Sequence, residues 1–281
     1  MFLILCTAVI LGVCGMPAMG VDNQQSGNLS SFTTVQAAAT TASPIKMQVI
    51  ISGTGGDVTK NYYINKNLPK TQLANQIISL SKKGTPMITI GNGSGPKVLI
   101  VAGVHGNELP APIAAMWLIN YFNGKKIKGT IYIIPFVAPS STAKNTRYWN
   151  GKNLNSVANV PGTPTNRIVN LAKQLKVNAV ADFHSTQPGG VPGKTSALCT
   201  KIPTYESYNI AAYISRQTGS ALIADTKAGV AYPGAVEDVT NLVGIPAVTC
   251  EVRSPHGIVG SGSLDKSYSQ MLAFLRYEKV V

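Results

Sequence analysis

Apolar positions along this chain switch between two spacings, and the switching predicts its elements. Val98-Leu-Ile-Val-Ala102 is an unbroken apolar run rich in β-branched residues, the pattern of a strand buried on both faces. Similar short runs predict strands at Met47–Ser52, Met87–Ile90, 130–136, 177–183, 221–224 and 246–252. Between them the spacing relaxes to helical. Leu73, Ile77 and Leu80 share one face of a helix predicted over 70–83, with Gly84 as its stop. Further helices are predicted at 110–121, 165–175, 205–218, 235–243 and 265–278. Residues 137–163 read as an irregular polar stretch, and Gly/Pro loops fall at 188–193 and 229–234. This alternation predicts an α/β fold: a single domain with a mixed, largely parallel β-sheet flanked by helices.

The start of the chain follows another pattern. Residues 1–20 carry no charged side chain and end in Ala18-Met-Gly20, as an apolar signal peptide with a cleavage site would. No Lys or Arg precedes the apolar run. Two alternatives therefore stand beside a cleaved signal: an uncleaved anchor, or lipidation at Cys14. Each predicts a secreted or cell-surface protein. Residues 21–44 are rich in Ser, Thr, Gln, Asn and Ala, with Asp22 the only charge, and read as a flexible tether. Residues 45–84 form a strand–helix extension, either part of the domain or a propeptide over its cleft, and 85–281 form the main body.

Composition narrows the partners. The 281 residues include 24 Lys+Arg against 11 Asp+Glu, a formal net charge of +13. Such an excess favours anionic surroundings. Nucleic acid is disfavoured because the positive residues are dispersed. Their densest cluster, Lys125-Lys126-Ile-Lys128, is short and flanked by glycines, and there is no basic arm or aromatic–basic pattern. An acidic cell-wall polymer fits the charge as well. Outside the leader two cysteines remain, Cys199 and Cys250, read either as a disulfide or as two buried thiols.

The chain holds only three histidines. His105 follows the 98–102 run and a glycine, and Glu108 stands three residues on, just before a predicted helix. From the carboxyl end of a strand both side chains can reach one point, where open α/β sheets place their sites. His184 closes a second apolar run, and His256 follows Pro255 in a loop. Imidazole and carboxylate are both good zinc ligands. Each motif alone is weak; their combination points to a metal.

In order, Gly91-Asn-Gly-Ser-Gly-Pro-Lys-Val-Leu-Ile-Val-Ala-Gly-Val-His105-Gly-Asn-Glu108, Asn145-Thr-Arg147, Gly151-Lys-Asn-Leu-Asn155, Asp182-Phe-His184-Ser and the stretch from Gly234 to Glu251 resemble the motifs of the zinc carboxypeptidase superfamily. The resemblance is strongest to its succinylglutamate desuccinylase/aspartoacylase branch and covers about residues 85 to 275. It implies a zinc carboxypeptidase-like fold, with 85–281 as the catalytic domain. It also implies Zn²⁺ held by His105, Glu108 and His184, Glu251 as the general base, and Arg147 stabilising the oxyanion. Without the resemblance Arg147 reads as a solvated loop residue, and Glu251 as a buried glutamate paired with a cation. Asp182 either orients His184 from behind or, by alternation along the strand, points away. Asn155 is expected to hydrogen-bond substrate. Tyr232 is expected to close over it, and Asp238 to line the far end of the pocket and meet a cationic group.

The chain departs from the family pattern at two places. Ser156 replaces the arginine that grips a substrate carboxylate, and Asn153 replaces an aspartate. Lys152, Arg167 or Arg253 would then have to supply the missing charge, or the substrate lacks a carboxylate there. The expected function is an exported zinc hydrolase that cleaves amide or peptide bonds in short or cell-wall-type peptides. An N-acyl amino acid deacylase and a non-catalytic zinc or ligand-binding protein are the alternatives.

Overall fold

The computed structural model describes residues 42–281. The leader expected at 1–20 and the tether up to residue 41 lie outside the described residues. The elements run β1 (Ile45–Ser52), α1 (Tyr62–Asn67), α2 (Gln72–Ser81), β2 (Gly84–Ile90), β3 (Lys97–Ala102), α3 (Pro110–Phe122), β4 (Thr130–Ile134) and α4 (Pro139–Ala143). Then follow α5 (Pro164–Leu175), β5 (Ala179–Thr186), β6 (Ser196–Ile202), α6 (Glu206–Thr218), β7 (Ala221–Lys227), α7 (Val236–Leu242), β8 (Ala247–Arg253) and α8 (Ser263–Tyr277).

All eight strands form one sheet in the order β1-β2-β4-β3-β5-β8-β6-β7. Its centre, β4-β3-β5-β8, is parallel. The flanks are mixed: β2 pairs antiparallel with β4 and β1, and β6 pairs antiparallel with β8 but parallel with β7. Helices cover both faces, which explains the unbroken apolar run of β3. Val98, Ile100 and Ala102 pack with Ile113, Met116 and Phe274 of α3 and α8. Leu99 and Val101 pack on the other face with Ile168, Val169, Val236 and Val239 of α5 and α7.

Two expectations change, and residues 45–84, left open between part of the domain and a propeptide, pack with the main body. β1 joins the sheet beside β2, Ser140 N donates to Thr54 O at 2.9 Å, and no residue of this segment lines the cleft described below. Strand β5 does not stop before His184 but runs on to Thr186. Strand β6 was not predicted, because its sequence Ser-Ala-Leu-Cys-Thr-Lys-Ile is small and mixed in polarity. It is buried over its first five residues because it sits between β8 and β7. Cys199 and Cys250, on β6 and β8, are both free and buried.

Candidate active site and metal centre

The centre lies at the carboxyl ends of β3, β5 and β8. Gly103 leaves β3 with φ +72°, and Gly106 sits where a Cβ would meet the Ser141 carbonyl carbon at 2.2 Å. Only glycine allows that approach, which seats His105 and Glu108 between β3 and α4. His184 comes from β5 and pairs in register with Glu251 of β8. Alternation turns Phe183 and Cys250 to the α3/α8 core. His184 and Glu251 therefore share the opposite face.

His105, Glu108 and His184 are 1%, 4% and 2% exposed, and one candidate ligand atom of each lies within 4.8 Å of the others. His105 Nδ1 is 2.7 Å from Glu108 Oε1, and His184 Nδ1 is 2.8 Å from Glu108 Oε2. Arg147 Nη1 donates to Glu108 Oε1 at 2.7 Å, and Ser185 N donates to Oε2 at 3.2 Å. The outer ring nitrogens are held too: His105 Nε2 is 2.8 Å from Asn153 Oδ1, and His184 Nε2 is 2.8 Å from Asp182 Oδ2.

Each ring thus faces an oxygen acceptor at both nitrogens. A neutral imidazole has a single N–H, so each ring must be cationic or leave one contact without a proton. Burial alone would lower the His184 pKa. The Asp182 and Glu108 carboxylates outweigh it and hold that pKa well above the ordinary histidine value. Burial would raise Glu108, but the two histidines hold it well below the ordinary carboxylate range. His105, Glu108 and His184 could together hold a divalent cation, whose positive charge would answer the same imbalance. Each Nε2–H would then donate outward, as in zinc-bound histidines. Two imidazoles and a carboxylate fit Zn²⁺.

A cleft of about 390 Å³ opens beside this cluster. His105, Glu108, Arg147, Asn155, Tyr232 and Glu251 all line it. Glu251 Oε2 is buried with no hydrogen-bond partner, as is Asn155 Oδ1. Burial pushes the Glu251 carboxyl up to about 8, and the neighbouring Glu108 charge adds to the rise.

A family model described as the succinylglutamate desuccinylase/aspartoacylase catalytic domain matches residues 94–277. The chain belongs to that family. Solved structures show the same fold. One is a succinylglutamate desuccinylase from Silicibacter sp. TM1040, 18% identical, with a TM-score of 0.56, covering 71% of this chain and 63% of that one. A second is an aspartoacylase family protein from Mesorhizobium loti, 21% identical, with a TM-score of 0.56, covering 86% and 69%. A third is a metallo-carboxypeptidase from Burkholderia cenocepacia, 14% identical, with a TM-score of 0.54, covering 70% and 61%. The chain therefore spans less than two thirds of the first and third of these structures. No curated protein sequence matches it.

Within this desuccinylase/aspartoacylase framework one expected site residue is displaced. Asp238 does not line the cleft. Its Oδ1 accepts from Gly229 N at 2.6 Å and so anchors the 229–234 loop that carries Tyr232. Its neighbour Glu237 lines the cleft instead. Asp182 does not point away: two residues from His184 on one strand, it shares that face. Lys152, Arg167 and Arg253 do not line the cleft, and neither does Ser156, whose Oγ donates to Asn153 O at 2.9 Å.

Two residues named in the sequence, Asn153 and His256, contribute through contacts that the sequence did not reveal. Asn153 supplies the acceptor behind His105, so the exchange for aspartate keeps the contact and removes the charge. His256 lines the cleft, donates from Nε2 to Ser185 O at 3.0 Å, and lies 3.7 Å from Glu108 Oε1. Its signal was its rarity and its place five residues after Glu251.

Proposed function

We propose that the protein is a zinc-dependent hydrolase, exported by its leader, that cleaves an amide bond in a short peptide or an acylated amino acid. The observation that carries this reading is a buried, unpartnered carboxylate, Glu251, in register with a ligand histidine and facing the same cleft. A pure binding site has no need of such a group, because an unpaired buried carboxylate is costly. His105, Glu108 and His184 would hold the metal. When bound, zinc supplies a positive charge that polarises the scissile carbonyl and the attacking water and draws Glu251 toward its ionised form.

The chain's own groups do the rest. Glu251 takes a proton from water and passes it to the leaving nitrogen. Arg147 borders the same cleft and stabilises the carbonyl oxygen as it gains charge. Asn155 offers a buried carbonyl oxygen to a substrate N–H. Tyr232, on the 229–234 loop, closes over the bound substrate. Burial keeps its hydroxyl protonated, with Asp225, Glu251 and Glu237 adding to the effect. Five of the eleven acidic residues (Glu108, Asp182, Glu237, Asp238 and Glu251) are gathered at or behind the cleft. The exterior is correspondingly basic, which supports attraction to an anionic polymer such as wall material.

The test is to express the full chain, measure bound metal, and assay it and Glu251→Gln on short peptides and N-acyl amino acids. One equivalent of zinc, with turnover lost in the variant, supports the hydrolase. A folded protein that takes up no metal sinks it.

A further inference from the structure

One buried carboxylate at the cleft takes no part in the chemistry above. Glu237, in the first turn of α7, is 4% exposed and lines the cleft. Its Oε1 accepts from Asn241 Nδ2 at 2.7 Å and from Thr200 Oγ1 at 3.5 Å. The described residues give its Oε2 no hydrogen bond. No cation offsets it either. Arg147 is the one Lys or Arg among the lining residues, and it is bound to Glu108. Three carboxylates, Glu108, Glu237 and Glu251, line the same space.

The floor between Glu251 and Glu237 can be read from strand register. On β6, Ser196 lies opposite Glu251 and Leu198 opposite Thr249, and Thr200, two residues further, reaches Glu237. From Ser196 to Thr200 the strand spans about 13 Å. The middle of this path is lined by Leu198, Ala235 and Thr249, with no charged group among them. Tyr232, on the 229–234 loop, lines the same cleft. The cleft therefore offers a reacting end, a largely uncharged middle and a buried acidic end. An amide nitrogen, the four methylenes of a lysine side chain and its ammonium span about 7–8 Å, which with a hydrogen bond of about 3 Å at each end comes to about 13 Å. At the position where the family pattern has a carboxylate-gripping arginine, Ser156 is exposed and outside the cleft, and the one lining arginine, Arg147, is bound to Glu108.

We infer that Glu237 forms a subsite for a primary ammonium, so that the preferred substrate is an amide of a lysine- or ornithine-type amino acid. This rests on the hydrolase reading and deepens it. The ammonium would donate to the free Oε2, while Asn241 and Thr200 fix the carboxylate orientation. Burial pushes unliganded Glu237 up to about 8, the Asp238 charge adding to the rise, so an arriving cation is what stabilises its ionised form.

The experiment uses the full-length, zinc-loaded protein and matched N-acyl amino acids and dipeptides containing lysine, norleucine or glutamate. The lysine members should exceed their norleucine isosteres by about 10–100-fold in kcat/KM, as expected of a charge-assisted bond. The difference should lie mainly in KM. Glu237→Gln, which keeps the shape and the Asn241 bond, should bring the ratio to near one, and Glu237→Asp should reduce it without abolishing it. The same compounds are titrated calorimetrically into Glu251→Gln. Turnover with equal lysine and norleucine values overturns the subsite and leaves the hydrolase standing. Absence of turnover, with lysine-selective binding that Glu237→Gln removes, overturns the hydrolase and keeps the subsite. Neither turnover nor selective binding overturns both. If both Glu237 variants misfold, the wild-type ratio decides.

Discussion

The two ends of the cleft are built differently. At the end that could hold a metal the side chains come from β3, β5 and β8 and the turn after β3, and every ring nitrogen of His105 and His184 and both Glu108 oxygens are held. At the far end the groups sit on the first turn of α7 and on a Gly/Pro loop, and Glu237 keeps one oxygen free of any described donor. Sheet register fixes the first end before any ligand arrives, which suits a step that needs exact positioning of charge. The second end is completed by what binds there, which suits selection among substrates.

That contrast can be broken most sharply at Glu251. Glu251→Gln should lower kcat by about 10²–10⁴-fold, the usual contribution of a positioned proton-transfer group, with metal content unchanged. A variant that retains full turnover would remove Glu251 from the chemistry. Arg147→Met should cost about 10²–10³-fold in kcat, as loss of an oxyanion donor does. A change in KM alone would reassign Arg147 to ground-state binding. Behind the ligands, Asp182→Asn and Asn153→Ala should each weaken metal affinity by about 10–100-fold, read by competition with a chelator. Affinity unchanged in both would show that the rings are oriented without them.

A stability measurement, independent of turnover, separates the far end. Folding raises Glu237 from the ordinary 4.5 to about 8 through burial and the neighbouring Asp238 and Asp225 charges. The folded state then holds a proton that the unfolded state releases, so the contribution of Glu237 to stability is full below pH 4.5 and falls as pH rises toward 8. Glu237→Gln should flatten that fall. At pH 8 we expect the variant to be more stable by up to about 4 kcal/mol, with the difference shrinking to about 1 kcal/mol or less at pH 5. Thermal melts of both proteins across this range check it. A wild-type slope that persists in the variant would assign it to other groups.

Much of this molecule was legible beforehand where the signal is periodic. The 98–102 run, the helix at 110–121 and the histidine-bearing ends of β3 and β5 were all read from local spacing. The family match to 94–277 agrees with the resemblance carried by those motifs. Strand β6 was not legible. Ser196 and Thr200 are polar, and their burial comes from β8 and β7 on either side and from partners such as Glu237. The contacts of Asn153 and His256 were not legible for a related reason: each is long-range, to His105 and to the Ser185 carbonyl, and local spacing does not show which partner it meets.

Glu237 and Asp238 show where the sequence stops. It determined that an acidic pair opens a helix after a Gly/Pro loop. Successive residues on a helix point about 100° apart. Which of them meets the cleft therefore depends on how α7 is rotated against the sheet, and the packing of Val236 and Val239 into the core sets that rotation. The sequence likewise determined which strands carry His184 and Glu251. Only the parallel pairing of β5 with β8 set the two side by side. Periodicity is a property of the local backbone, whereas register and helix rotation are settled by the whole core closing at once.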